Sequence, residues 1–261
     1  MSAKKKKKEK SAEMPFLDHL DELRGRLIKS LIALTLACVL GLVAVTQFDV
    51  LGLIERPIRG LIPMETLVYT NPTTPFFITL KLGFIVGLIL AFPILAWQLW
   101  AFLAPALYEN ERKFAIPSIA FGTALFLAGI ALAYFLVLPY GLRILLGFYE
   151  TDLTPLITVD EYLKFATMLI LAFGIVFEVP VLLVFLSMVG IVTAEGLSHY
   201  RRHAIIVIAV LSAVLTPADP FTMVAMMIPL MVLYEGSIVT IRVIGKRRAE
   251  RLGAESEGSP A

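Results

Sequence analysis

At 261 residues, 58% of them hydrophobic and with a mean hydropathy of +0.84, the chain is too apolar for a water-soluble domain, in which half or less is usual. The formal net charge of +2 hides a marked clustering of basic residues near the two ends. A single cysteine, Cys38, rules out a disulfide framework and a thiol metal site; within an apolar stretch it reads as a small lipid- or helix-facing residue.

Residues 1–14 are a lysine-rich segment (Lys4 to Lys8, Lys10). Composition reads it as a disordered basic tail drawn to anionic lipid headgroups. Over 15–27, Phe16, Leu20, Leu23 and Leu27 recur at steps of four, three and four, one apolar face of a helix. That pattern predicts a segment lying along the inner membrane surface before the chain turns into the bilayer. No small-residue cleavage site follows, so the first apolar stretch is expected to stay as a helix.

Six apolar stretches follow, at about 27–47, 75–103, 115–138, 162–190, 204–216 and 221–241, against the roughly 20 residues a helix needs to cross about 30 Å of hydrocarbon. Thr74-Pro75 and Asp219-Pro220 read as caps with proline at the first helical position. Thr158-Val-Asp-Glu161 reads as a capping box. The fifth stretch is short: Ala204 to Leu215 reaches roughly 18 Å at 1.5 Å per residue. It implies either a helix with its ends submerged in protein or local thinning of the bilayer. Pro93, Pro117, Pro180 and Pro229 interrupt the spans, and such bends favour a concave bundle over a straight one. The C-terminal tail, 243–261, follows Arg242 and carries Lys246, Arg247, Arg248 and Arg251 before a polar end.

Basic residues flank the chain at both ends and occur at Arg112, Lys113, Arg201 and Arg202, whereas the alternate connections hold only Arg56, Arg59 and Arg143. By the positive-inside rule both termini are cytoplasmic, which requires an even number of spans. The expected fold is an all-α integral membrane protein with six transmembrane helices, a concave cupped bundle and both termini cytoplasmic. The domain division is 1–14 basic tail, 15–242 membrane domain and 243–261 cytoplasmic tail.

Signals for an enzyme are nearly absent: there is no Gly-x-Ser-x-Gly elbow, His-Glu-x-x-His or phosphate-cradling glycine loop. His19, His199 and His203 lack carboxylate or Cys neighbours at metal spacing. No catalytic residue, metal ligand or cofactor is therefore assigned. The carboxylates carry more information. Topology places Glu22, Glu109 and Glu111 on one side of the membrane, where a carboxylate suits an arginine fork better than a lysine. The plainer alternative is pairing at i,i+4, Glu22 with Arg26 and Glu109 with Lys113. Glu178 lies near the middle of the fourth span, beside Pro180; an ionisable group at that depth points to function. It reads as a polar contact for a docking segment, a proton-linked switch, or a carboxyl satisfied by an interhelical hydrogen bond.

The motifs Phe16-Leu-Asp-His-Leu-Asp-Glu-Leu-Arg24, Pro75-Phe-Phe with Lys81, Trp100-Ala-Phe-Leu-Ala-Pro-Ala-Leu-Tyr108 and Glu111-Arg112 share one order and spacing with a known family. Ala172-Phe-Gly, Phe177-Glu-Val-Pro180 and Leu215-Thr-Pro-Ala-Asp219 continue the match. From about residue 15 to 242 the chain resembles the TatC family, core receptor subunits of the twin-arginine protein translocase. The resemblance implies a cupped six-helix bundle with two short final helices, in a bacterial or archaeal cytoplasmic membrane. It implies capture of twin-arginine signal peptides of folded cargo by Glu22 and Glu111, with Arg24, Phe102, Leu107 and Tyr108 beside them. It assigns Glu178 to the signal's apolar part and to partner binding, and Asp219 to the outer turn. It implies single-span TatA and TatB partners against the last two helices, contacts at Thr216, Met223 and Met227, and self-association in the receptor complex. Met223 departs from the family, which often has a polar residue there. Energy would come from the proton motive force. Membrane lipids are the expected polyanion for the lysine tail, and no nucleic acid is expected. The rival reading is a proton-coupled secondary transporter of a small cationic solute, with Glu178 as the coupling carboxylate.

Overall fold

The computed structural model describes residues 2–62, 67–103, 115–147, 156–215 and 220–257. In chain order these form α1 (Ser2–Gln47), α2 (Val50–Arg59), α3 (Thr74–Leu103), α4 (Ala115–Leu132), a π-helical turn (Ala133–Val137) and α5 (Leu138–Gly147). There follow α6 (Val159–Val176), α7 (Val179–Met188), α8 (Ala194–His199), α9 (Arg201–Leu215) and α10 (Pro220–Glu257). Among the described residues there is no strand, only an isolated parallel bridge between Val68 and Thr158.

Among the described residues five segments are long and apolar enough to cross a membrane: Leu20–Gln47, Thr74–Phe102, Ile116–Gly147, Val159–Met188 and Pro220–Lys246. The expected short helix is α9, 15 residues long, or about 22 Å at the α-helical rise. No break separates 15–27 from the first apolar stretch, because α1 runs on as one helix. The expected turn from membrane surface into bilayer is therefore absent. The lysine-rich start and the basic end continue α1 and α10 as helix; Lys, Glu and Ala are good helix formers that extend a helix already begun.

The chain divides into two compact units. The first comprises 1–50 and 79–120. Its helices meet through glycine: a Cβ on Gly41 would strike the Gly83 carbonyl and the backbone of Gly87, and one on Gly87 would strike the backbone of Cys38. Such contact needs small residues, the usual means of bringing helices together where lipid supplies no hydrophobic drive. Cys38 is half-buried on this seam, as its small size suggests. Much of the rest of α1 is exposed and apolar (Leu27, Leu31, Leu36, Leu40), which suits a helix facing lipid.

The second unit comprises 51–78 and 121–261. Here α10 packs on α7, α8, α9 and α5, and α6 packs on the π turn and α9. Its core holds Phe126, Tyr162, Phe173, Leu138, Leu163, Leu169, Met226 and Ile238. One stripe of α4, Gly122, Phe126, Gly129 and continuing to Ala133, is buried at steps of four, three and four. The ring of Phe126 fills the space over Gly174, and Gly129 receives the backbone of Phe173 and the ring of Phe177. Each helix thus offers a glycine to the other's phenylalanine. The N-cap half of the expected capping box is formed, with Thr158 Oγ1 accepting from the Glu161 amide at 3.4 Å; among the described residues the returning bond from the Thr158 amide to the Glu161 carboxylate is not. The cap at α3 falls one residue early: the Phe77 amide reaches the Thr73 carbonyl at 3.3 Å, and Thr73 donates to Asn71 Oδ1. Thr193, which the sequence reading passed over, caps α8 through Gly196 N at 3.1 Å.

Candidate functional site

Glu22 sits on α1, near the polar end of its apolar run. Arg26 Nε donates to Glu22 Oε1 at 3.0 Å, and Arg26 Nη2 donates to the same oxygen. The Glu22 side chain is 35% exposed and that of Arg26 24%. The i,i+4 pairing that competed with a ligand role is thus formed. It also demonstrates that this carboxylate stands where a guanidinium is accepted in a partly dehydrated setting. Arg24 points outward and Phe102 is half-buried in the last turn of α3. Leu107, Tyr108, Glu109 and Glu111 lie outside the described residues, and with them the convergence of Glu22 and Glu111.

Glu178 is placed by a break in the fourth span. Residues 177 and 178 leave the regular helix between α6 and α7, with Glu178 N–H turning to the Ile175 carbonyl at 3.1 Å. Pro180 at the start of α7 sets this break, since its ring removes a donor and fixes φ. Glu178 becomes the residue preceding α7, at the positive end of that helix. Its carboxyl lies over Gly122, where a Cβ would come within 2.9 Å of Oε2. Among the described residues its Oε1 is buried with no hydrogen-bond partner. The Thr123 hydroxyl, next to Gly122 in sequence, is likewise buried and unpartnered among them. The interhelical hydrogen bond that would have made Oε1 an inert polar atom is absent among the described residues. Buried polar atoms are seldom left so. The arrangement leaves a carboxylate oxygen and a hydroxyl side by side in sequence register on facing elements of one unit. Thr123 went unremarked in the sequence because a lone threonine in an apolar run satisfies itself on its own helix as a rule.

Of the remaining candidates, Met223 and Met227 are half-buried on α10, whereas Met226 between them is core. Val224 and Ile228 are the exposed side chains of that turn. Thr216 and Asp219 lie outside the described residues. Among the described residues no three His, Cys, Asp or Glu side chains gather to hold a metal.

A family model described as Sec-independent protein translocase protein (TatC) matches residues 18–229. Relatives named Sec-independent protein translocase protein TatC include that of Aquifex aeolicus (strain VF5). It is 39% identical over 239 residues, covering 91% of this chain and 98% of that protein. The relative from Desulforapulum autotrophicum is 37% identical over 235 residues, 90% of this chain and 86% of its own length. Among solved structures, a crystal structure of the twin arginine translocase receptor TatC superposes with a TM-score of 0.74 at 39% identity, covering 86% of this chain and 98% of that one. The same receptor in DDM gives 0.76 at 39% identity, covering 85% and 99%.

Proposed function

The chain belongs to the TatC family of Sec-independent protein translocase proteins, and from that premise we propose that it is the receptor for twin-arginine signal peptides. It is a multi-pass membrane protein of a protein-transport family that works by translocation rather than catalysis, within a twin-arginine translocase complex. The proposal adds that it sits in a bacterial or archaeal cytoplasmic membrane, with six spans, both ends inside and tails at 1–14 and 243–261. Folded cargo is exported at the expense of the proton gradient. The partners are the single-span TatA and TatB, met around Thr216, Met223 and Met227, and further copies of the chain; Asp219 belongs to the outer turn.

In this reading the signal's paired guanidinium groups are held by Glu22 and Glu111, with Arg24, Phe102, Leu107 and Tyr108 around them. A signal arginine takes the place of Arg26 on Glu22, exchanging one charge-assisted pair for another. The apolar part of the signal then runs toward Glu178 and Thr123. The observation that carries the proposal is the family match over nearly the whole chain, at 39% identity to a receptor of matching fold. Membership in a protein-translocation family weighs against the solute transporter. The test is site-specific crosslinking of a signal peptide with Arg-Arg against one with Lys-Lys. Preference for Arg-Arg that vanishes in Glu22→Ala and Glu111→Ala is expected. Equal capture of both peptides, or unchanged capture by both variants, refutes the site.

A further inference from the structure

The amphipathic helix α2 carries Pro57 in its interior. In an α-helix the amide of residue 57 would donate to the carbonyl of residue 53. Proline has no such hydrogen, so the Leu53 carbonyl is left without its in-helix donor. The structure supplies another from far away in sequence: the Tyr134 hydroxyl donates to the Leu53 carbonyl at 2.6 Å. One residue on, the Tyr162 hydroxyl donates to the Ile54 carbonyl at 2.5 Å. Both tyrosines are well fixed. Tyr134 lies in the π-helical turn, where the Leu138 amide reaches back five residues to Ala133; such turns recur at functional positions. Tyr162 is 2% exposed, in the first turn of α6 behind the Thr158 cap. Ile54 and Ile58 of α2 are buried, while Arg56 and Arg59 face outward.

We infer that Tyr134 and Tyr162 are a positioning pair that clamps α2 to the π turn and to α6, with the Tyr134 hydroxyl standing in for the amide hydrogen that Pro57 lacks. The proline thereby serves as the lock's keyhole: it opens a carbonyl that only a side chain from another helix fills. A proline-free α2 would satisfy itself and have less need of its neighbour. The clamp concerns the fixing of α2, so it stands or falls apart from signal recognition.

The test is hydrogen exchange of the α2 amides in the purified full-length chain, using Tyr134→Phe, Tyr162→Phe and Pro57→Ala singly and in pairs. In the chain that keeps Pro57, Tyr134→Phe is expected to speed α2 exchange about 5-fold, the equilibrium weight of one net hydrogen bond. In the Pro57→Ala background the same substitution is expected to change exchange by less than about 2-fold, because the restored amide supplies the donor. Tyr162→Phe is expected to act alike in both backgrounds, since the Ile54 carbonyl keeps its own in-helix donor in Ile58. General loosening by ring repacking would not distinguish the backgrounds, so equal acceleration by Tyr134→Phe in both overturns the inference. Pro57→Ser restores the same amide and serves if Pro57→Ala does not fold. With neither available, unchanged α2 exchange in Tyr134→Phe overturns it, and selective acceleration in α2 with α10 unaltered upholds it.

Discussion

Single atoms decide how tightly the helices of this chain approach. Gly122 and Gly129 lie two turns apart on one buried stripe of α4, yet an added methyl group meets different neighbours. At Gly122 it meets the Glu178 carboxylate at 2.9 Å, the far end of a flexible side chain. At Gly129 it meets the Phe173 backbone and the Phe177 ring at 2.8 Å, which do not yield without moving a helix. Gly122→Ala is therefore expected to lower the melting temperature in detergent slightly, and Gly129→Ala more, with overpacking costs of about 1–3 kcal/mol. The reverse order would show that the seam is looser than its geometry. At the same scale, the Arg201 to Glu235 pair (2.8 Å) has both side chains more than two-fifths exposed. Its removal by Arg201→Ala is expected to change stability by less than about 1 kcal/mol, as exposed pairs do. Glu22 and Glu178 were legible as unusual from their positions alone. Thr123 was not, because its lack of a partner depends on where α4 lands.

At the scale of elements, helix starts are set by short-range chemistry, and one of them, at Thr158, was read in place. Thr158 accepts from Glu161 as its spacing implied. Thr158→Ala is expected to cost about 1 kcal/mol, seen as faster amide exchange in the first turn of α6; unaltered exchange there would assign the cap no role. The α3 start moved by one residue because Thr73 and Asn71 form a local turn that competes with Thr74. The break at 177–178 follows from Pro180, whereas Pro93 and Pro229 lie inside unbroken helices. Neighbouring groups within a bundle re-satisfy the freed carbonyls, so a proline marks a place where a break is allowed rather than one where it occurs. The π turn at 133–137 had no signal at all. It widens the helix locally, with the Leu138 amide bonded to the Ala133 carbonyl.

At the scale of the molecule, five helical segments among the described residues are long and apolar enough to span, and α9 at 15 residues falls short of that length. The proposed topology predicts that reporter fusions at 104–114, 191–200 and both ends give cytoplasmic signals, and that fusions in 48–74 and 139–158 give external ones. An external signal from 104–114 would separate Glu111 from Glu22 by the bilayer and end the proposed signal site. What the sequence determined by itself was the membrane class, five apolar spans, the Thr158 cap and the family, because hydropathy, charge bias and motif spacing are properties of the chain taken locally or in order. What only the tertiary structure decided was which distant groups meet: the glycine–phenylalanine exchange between α4 and α6, the Glu178 oxygen left bare among the described residues, and the tyrosine hydroxyls on the carbonyls of α2. Those contacts join residues as many as 108 positions apart, and no local propensity carries information about a partner that only packing brings within reach.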